Sequence, residues 1–426
     1  MEALLNSGWT KVRAELDLDK LCNYLNASGI RLEAFDPKSV IVLQSNNGMS
    51  NPTFYLQQSA SSREPALIIR KKPPGKLLPG AHQIEREFRA MKHLADTAVP
   101  VPRVHVLCSD ESILGQAFYV MDYVSGPVPN DPGLPGLAPN SRAKIFAHAI
   151  QILATLHSLD YVALGLQKHG RAGNYAARQL RTWSRQYELG DALLSKYQQG
   201  REKQIAAAAS QLTVIGAAKR LDGNVTHDDA KDRLVAKVLS AGADMRKLIA
   251  LLTEQQKGGR GGKDETTLVH GDFRMGNFIL DVKAGRIAAV LDWEISTLGH
   301  PLLDLAYLVS PYYAVGEGGF QKDPKTNKGG LPPGAPTLQE VLRMYCEARG
   351  LGPIPQDAWN FWVALNCFRT AAIVHGVFAR YIGGNAGSTN ASYAGGSFLV
   401  EVQKGLKLLR AAGGTTKSNA VQRAKL

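Results

Sequence analysis

The sequence predicts an α+β fold in two lobes. An N-terminal lobe is built on an antiparallel sheet plus one helix, and a mainly helical C-terminal lobe carries a single β-hairpin. Three observations predict it. Before residue 125, short runs rich in Ile, Val, Leu and aromatic residues alternate with polar turns, and one stretch, His82–Leu94, repeats its apolar residues at helical spacing. After residue 140 that helical spacing dominates. Between Phe278 and Leu291 it gives way to two β-type runs around a glycine turn.

The first-lobe elements follow in order. Val40–Gln44 and Phe54–Gln57 read as strands flanking Ser45–Pro52, a loop of small and polar residues whose backbone N–H groups could approach phosphates. The loop, which includes Ser50 and Asn51, lacks a full G-x-G-x-x-G. Ala66–Arg70 is a third strand. By alternation Arg70 faces the same side as Ile68, and Lys72 follows if the strand continues. In His82–Leu94 the apolar stripe is Ile84, Phe88, Met91 and Leu94; Glu87 lies off it, free to pair with the strand cation, with Glu85 as the rival. Ala117–Val124, containing Met121 and Tyr123, is a buried strand running into Ser125-Gly126-Pro127. That is a hinge, with a hydrophobic edge where an adenine could lie against exposed backbone groups. Pro127–Pro139 is the best linker in the chain.

In the second half, Ser141 is a candidate N-cap for a helix through Ile145, Ala149, Ile152 and Leu156, and Asn174–Leu189 continues the helical pattern. Residues 190–266, enriched in Ala, Lys, Gln and Gly, read as a helical insertion ending in a flexible tether, Gly258–Lys263. Gly316–Ala335 is a second surface loop. Phe361–Ala379 is the most apolar long stretch, but Asn366, Arg369 and His375 interrupt it, which favours a buried core helix over a membrane span. The expected division is 1–124 for the first lobe and 125–426 for the second, with the insertion at about 190–266.

Residues 270–292 carry most of the chemistry. Phe278–Leu280 and Ile287–Leu291 read as strands joined by a turn at Lys283-Ala284-Gly285. With the turn centred there, Asn277 enters the hairpin directly opposite the point where Asp292 leaves it. Two hard oxygen ligands then sit side by side, a donor set suited to a divalent cation bridging phosphate oxygens. Asp272, on the loop leading in, can reach a hydroxyl that attacks the phosphate. His270, Asp272 and Asn277 have the H-x-D-x-x-x-x-N spacing of the kinase catalytic loop, and Asp292 follows as the metal-binding Asp.

Leu268–Asn277, Leu291-Asp292-Trp293-Glu294 and Gly299–Ala306 are similar to the aminoglycoside phosphotransferase family. Within it, Arg70–Leu78, Phe368-Arg369 and His375–Tyr381 most resemble the kinase-like domain fused to acyl-CoA dehydrogenases in some eukaryotes. The match runs from about Ile41 to about Gly387. The resemblance implies a bilobal protein-kinase-like fold that uses ATP and Mg²⁺. It implies that Asp272 accepts or orients the acceptor proton, that Arg274 stands at the catalytic-loop Lys position on the γ-phosphate, and that Asn277 and Asp292 carry the metal. Ser50, Asn51, Met121 and Tyr123 would line the nucleotide, and Glu87 would brace the strand cation. That cation is Arg70 or Lys72, with Arg70 favoured because a guanidinium grips phosphate well. Asp304 and His270 are expected to brace the catalytic loop, and Trp293 to pack.

The reaction implied is transfer of the γ-phosphate to a hydroxyl of a small molecule, with a hydroxylated acyl compound as the acceptor class. The alternative is a non-catalytic nucleotide-binding or scaffold protein of kinase-like fold. Asp-Trp-Glu in place of D-F-G, and no A-P-E, weaken a protein-kinase reading.

Composition sets outer bounds. A chain of 426 residues, 44% hydrophobic, has ample core for two lobes. Cys22, Cys108, Cys346 and Cys367 show no C-x-x-C spacing, so they give no zinc site and suit a reducing interior. The net charge of +13 is spread along the chain without a nucleic-acid motif, so the cleft for an anionic nucleotide explains part of it and no nucleic-acid partner is expected. Met1-Glu2-Ala3-Leu4-Leu5 offers no basic start and no adequate apolar run, so a secretory signal is not expected. Ala424-Lys425-Leu426 is a close variant of Ser-Lys-Leu, which predicts capture by the peroxisomal import receptor. The expected location is a peroxisome or a related organelle such as the glycosome, with the cytoplasm as alternative.

Overall fold

The computed structural model describes residues 9–12, 16–31, 33–45, 51–73, 83–215, 226–316, 318–384 and 391–423, with 204–215, 226–229 and 411–423 described as backbone. Ser50 and the Ala424–Leu426 address lie outside the described residues. The chain forms two compact units, Met1–Gly173 with Glu265–Pro353, and Asn174–Asp264 with Ile354–Leu426. This division follows a different line from the expected 124/125 boundary: the first-lobe sheet and the hairpin after residue 277 share one unit.

The sheet of the first unit contains β1 (Trp9–Lys11), β2 (Ile41–Ser45), β3 (Thr53–Gln57), β4 (Leu67–Lys71), β5 (Val104–Cys108) and β6 (Phe118–Asp122), in the order β1-β2-β3-β4-β6-β5. Every neighbouring pair is antiparallel. Strand alternation assigns its two faces different tasks. Phe54, Leu56, Leu67, Ile69, Phe118 and Val120 bury against Leu21, Cys22 and Leu25 of α1 (Leu18–Ala27). The opposite face carries Tyr55, Ile68 and Met121 in one cross-strand row and Arg70 beside Tyr119 in the next. Onto that face packs α2 (Ile84–Leu94), with the Phe88 ring 6.0 Å from Tyr119. A single turn, α3 (Glu111–Leu114), links β5 to β6.

From β6 the chain crosses Gly126, whose φ is +154°. A Cβ there would stand 2.3 Å from the Leu280 carbonyl oxygen, so only glycine lets the hinge lie directly on the hairpin. The helix α4 (Pro139–Ser158) starts two residues before the expected Ser141 cap, with Pro at its first position, where a missing N–H costs nothing. The expected linker is not a loose tether. Arg142, 6% exposed, donates to the carbonyls of Gly133 (2.9 Å), Leu134 (3.1 Å) and Leu137 (2.9 Å), and to that of Pro333. One guanidinium thus sews Pro127–Pro139 to the Gly316–Ala335 loop.

The remaining strands are β7 (Thr267–Val269), β8 (Phe278–Asp281), β9 (Arg286–Val290) and β10 (Thr297–Gly299), paired as β10-β7 and β8-β9. Gly285, at φ +66°, closes the hairpin turn as expected. The register shifts between Ile279 and Leu280, which leaves Ala288 as an extra residue on the second strand. The pairs nearest the turn, Asp281 with Arg286 and Leu280 with Ile287, would put Asn277 opposite Val290; the extra residue moves its partner one place on, to Leu291, one short of the expected Asp292, and the Leu291 N–H donates to the Asn277 carbonyl at 2.8 Å.

The second unit, taken by itself, consists of the helices Tyr175–Ile215, Thr226–Ser240, Gly242–Lys257, Gln356–Ile382 and Ala394–Arg423. The helix Gln356–Ile382 is long and apolar enough to cross a membrane, yet 72% of its most apolar window is buried inside the protein. It therefore serves as the core helix. The glycine run 258–263 is not a tether: Gly261 approaches Phe361 so closely that a Cβ would sit 3.0 Å from the ring, and its carbonyl accepts from Trp362 Nε1 at 2.9 Å.

His375 is fully buried between the Tyr187 and Phe398 rings, at 4.6 and 4.9 Å. Burial pushes its pKa down to about 4. His169, in the first unit, is likewise held at about 4 by burial and then by Arg86 and Arg89. Unfolding releases both rings to an ordinary value near 6.5, so between about pH 6.5 and 4 the unfolded chain binds more protons. The stability these two rings contribute is therefore complete above that window and falls as pH drops through it. The unfolding free energy these rings supply is expected to decline by about 1.4 kcal/mol per pH unit for each ring once well below 6.5, and the melting temperature to fall with it from pH 7 to pH 5. A melting temperature flat over that range would refute the buried-neutral assignment.

Candidate active site

The loop His270–Asn277 is built on Asp304, which lies in the first turn of the helix Pro301–Leu308 and is 1% exposed. Its Oδ2 accepts the His270 N–H at 2.6 Å and its Oδ1 the Gly271 N–H at 2.8 Å. His157 Nε2 lies 3.4 Å from Oδ2, and its Nδ1 is 2.7 Å from the Tyr345 hydroxyl. Burial alone would raise the Asp304 pKa, but His157, His270 and the Gly271 amide outweigh it and hold the group below its usual value. Gly271 adopts φ +86°, which turns both amides toward that one carboxylate. Replacing Asp304 with Asn removes the charge and faces one backbone donor with another. D304N is expected to lose about 1–3 kcal/mol of stability, read as a lower denaturant midpoint, and to loosen the loop above it. An unchanged midpoint would remove Asp304 from the bracing role.

His270 is fully buried, and both its ring nitrogens engage the backbone. Nδ1 accepts the Asp272 N–H at 3.1 Å, so Nε2 carries the proton and donates to the Leu291 carbonyl at 2.9 Å. The ring orients the loop and ties it to the end of β9, as expected. Trp293, 0% exposed, packs at 4.6 Å from that ring and donates to the Val290 carbonyl at 3.0 Å.

Asp272 is delivered to the surface of this frame, with 19% of its side chain exposed. Its Oδ2 accepts from Asn277 Nδ2 at 2.7 Å, and its backbone carbonyl accepts from the same nitrogen at 2.8 Å. Both donor contacts use the amide nitrogen, so the Asn277 carbonyl oxygen is its atom for a cation. Arg274, half-exposed, leans back so that its Nε is 3.4 Å from Asp272 Oδ2.

The second cluster joins residues far apart in sequence. Arg70 Nη2 contacts Asp292 Oδ1 at 2.8 Å, across 222 residues, and Arg70 Nε lies 3.0 Å from Glu87 Oε2. Lys72 pairs instead with Glu85. The strand therefore sends Arg70 inward to Glu87 and Lys72 to the rim, so the rival pair exists separately. Glu87 is 1% exposed, and burial raises its carboxyl above the usual range although Arg70 opposes the rise. Arg70 is held firmly charged: burial works against it, but Glu87 foremost, with Asp292 and Glu294, prevails. Asp292 takes a left-handed conformation, φ +70° and ψ 56°, strained for a non-glycine residue and typical of a site that aims a side chain.

Asn51, 2% exposed, donates to Glu294 Oε2 at 3.0 Å across 243 residues. This link from the strand-β3 loop to the turn after Asp292 was missed from sequence, since nothing local to either residue announces it. Met121 lies on the Arg70 face of the sheet, beside Ile68. Tyr123 differs from expectation: its N–H is spent on the Ala66 carbonyl at 3.0 Å, and its ring packs on Tyr55 at 5.1 Å. Its carbonyl and ring are what it can offer a nucleotide.

Among the described residues no group of three His, Cys, Asp or Glu side chains could hold a metal by itself. The donor set here is different: one amide oxygen, from Asn277, and one carboxylate, from Asp292. That set fits a hard divalent cation that takes its other ligands from phosphate and water.

Residues 42–340 match the model of the phosphotransferase enzyme family (APH), and the chain belongs to that family. It is 39% identical over 358 residues to acyl-CoA dehydrogenase family member 10 of Mus musculus, covering 83% of this chain but 28% of that one. The chain spans less than half the length of the curated relatives it matches. Among solved structures, a putative aminoglycoside phosphotransferase from Ralstonia eutropha superposes with a TM-score of 0.69 at 29% identity, covering 93% of this chain and 99% of that one. Choline kinase from Cryptosporidium parvum, at 11% identity and TM-score 0.54, covers 93% and 97% and shares the fold alone. The protein-kinase-like α+β fold read from the sequence is thereby established.

Proposed function

We propose that this chain is an ATP- and Mg²⁺-dependent kinase that phosphorylates a hydroxyl of a small molecule, with hydroxylated acyl compounds as the acceptor class. The observation that carries the reading is the meeting of two half-sites at the end of one hairpin: Asp272 with Asn277, and Asp292 with Arg70. Phosphoryl transfer demands alignment and charge neutralisation more than covalent chemistry. Asp272 is placed to take or orient the acceptor proton, and Arg274 to steady the phosphate being transferred.

Around Arg70 stand Glu87, Asp292 and Glu294, so the cluster is net negative and would repel phosphates unaided. A divalent cation held by Asn277 and Asp292 would supply the missing positive charge at the phosphate oxygens. A phosphate arriving at Arg70 competes with its Asp292 contact, while Glu87 keeps its hold.

The acyl class is supported by the longer relatives, which are named for acyl-CoA dehydrogenases, and by the excess of cations, which suits an anionic acceptor. The test is ATP-dependent phosphate incorporation over a panel of hydroxyacyl-CoA thioesters, free hydroxy acids, choline, ethanolamine and aminoglycosides. Phosphorylation of a hydroxyacyl compound is expected. Product only from another small molecule would overturn the acceptor class. ATP binding without product from a metabolite extract would favour a nucleotide-binding scaffold.

A further inference from the structure

We propose that Arg86 is a positioning residue that locks helix α2 onto the turn following Asp292, and so holds Glu87 and Arg70 in place for the nucleotide phosphates. The proposal rests on the nucleotide reading above and adds to it a residue outside the cleft contacts. Arg86 is next to Glu87 on the first turn of α2, but its side chain leaves in a different direction. Its Nη1 donates to the His169 carbonyl at 2.7 Å and to the Ser296 carbonyl at 2.8 Å, from segments 83 and 210 residues away. Its Nε donates to Gln83 Oε1 at 2.8 Å, at a helix start where the Gln83 side chain gives no capping bond.

The far ends of these bonds are rigid. Ser296 is fully buried; its hydroxyl donates to the Trp293 carbonyl at 2.6 Å and lies 2.8 Å from His169 Nε2. Trp293 in turn packs on His270 of the catalytic loop. Helix α2 is therefore stitched to residues 292–296 at two places, by Glu87–Arg70–Asp292 and by Arg86–Ser296–His169. The first stitch is the one a phosphate at Arg70 competes for. The second uses backbone carbonyls, which no nucleotide competes for, and keeps Glu87 at its post during that competition.

The test measures MgATP affinity by calorimetry, acceptor KM and melting temperature in wild type, Arg86→Ala, Glu87→Gln and the double variant. Arg86→Ala is expected to weaken MgATP about three- to thirtyfold while leaving the acceptor KM unchanged. In the Glu87→Gln background the same substitution should add little, because the two act through one contact. A lowered melting temperature with unchanged MgATP affinity would overturn the positioning role, as would full additivity in the double variant. A wild-type protein that binds no MgATP would sink the nucleotide reading itself, and this proposal with it. Should Arg86→Ala fail to fold, Arg86→Met, which keeps the aliphatic stem, carries the same comparison.

Discussion

Asp272→Asn is expected to lower kcat by about 10²–10⁴-fold while leaving MgATP affinity near that of wild type. The reason is local. The substituted amide can still accept from Asn277 Nδ2, the 2.7 Å contact that fixes the native carboxylate, so the loop keeps its shape. His270, Gly271 and Asp304 beneath it are untouched, and their bonds do not involve the Asp272 side chain. What disappears is the group proposed to accept a proton from the attacking hydroxyl. Rate measurements under saturating acceptor, alongside nucleotide calorimetry, separate the two quantities. Near-normal turnover in this variant would take Asp272 out of the mechanism.

The second large effect is expected at Asp292. Asp292→Asn preserves a residue type that tolerates the left-handed backbone found there, so the turn should survive. It removes one of the two charged partners of Arg70 and the only formal charge in the Asn277–Asp292 donor set. Turnover should fall by about 10²–10³-fold, and the Mg²⁺ concentration giving half-maximal rate should rise. These two readouts distinguish it from Asp272→Asn, which ought to leave the metal dependence alone. An unaltered Mg²⁺ requirement in Asp292→Asn would place the metal elsewhere.

Much of the site was legible because its residues are close in sequence or set by strand and helix periodicity. The His270–Asp272–Asn277 spacing, the turn at Gly285 and the inward direction of Arg70 are of this kind. Glu87 and Glu85 were left as rivals, because a helix pattern says which side faces the core and not which acid meets a given strand cation. Register was harder. The tight turn pairs Asp281 with Arg286, which alone would leave Asn277 opposite Val290, and one extra residue, Ala288, brings its partner only as far as Leu291; neither the exact turn length nor a bulge leaves a reliable trace in composition. The proline and glycine segments were read as linkers and tethers because their local signals are those of turns. Arg142, and the rings of Phe361 and Trp362, turned them into packed structure through contacts that local patterns do not encode.

The sequence by itself determined the α+β class, the family, and the identity of the acid, the amide and the cations at issue, because those depend on side-chain chemistry and short-range geometry. Tertiary structure alone decided which acid grips Arg70, that Asn51 meets Glu294, and that Arg86 fastens α2 behind Asp292. Each of those contacts closes a long loop or joins separate elements. Their partners are selected by packing of the whole unit, and the residues between them carry no record of the meeting.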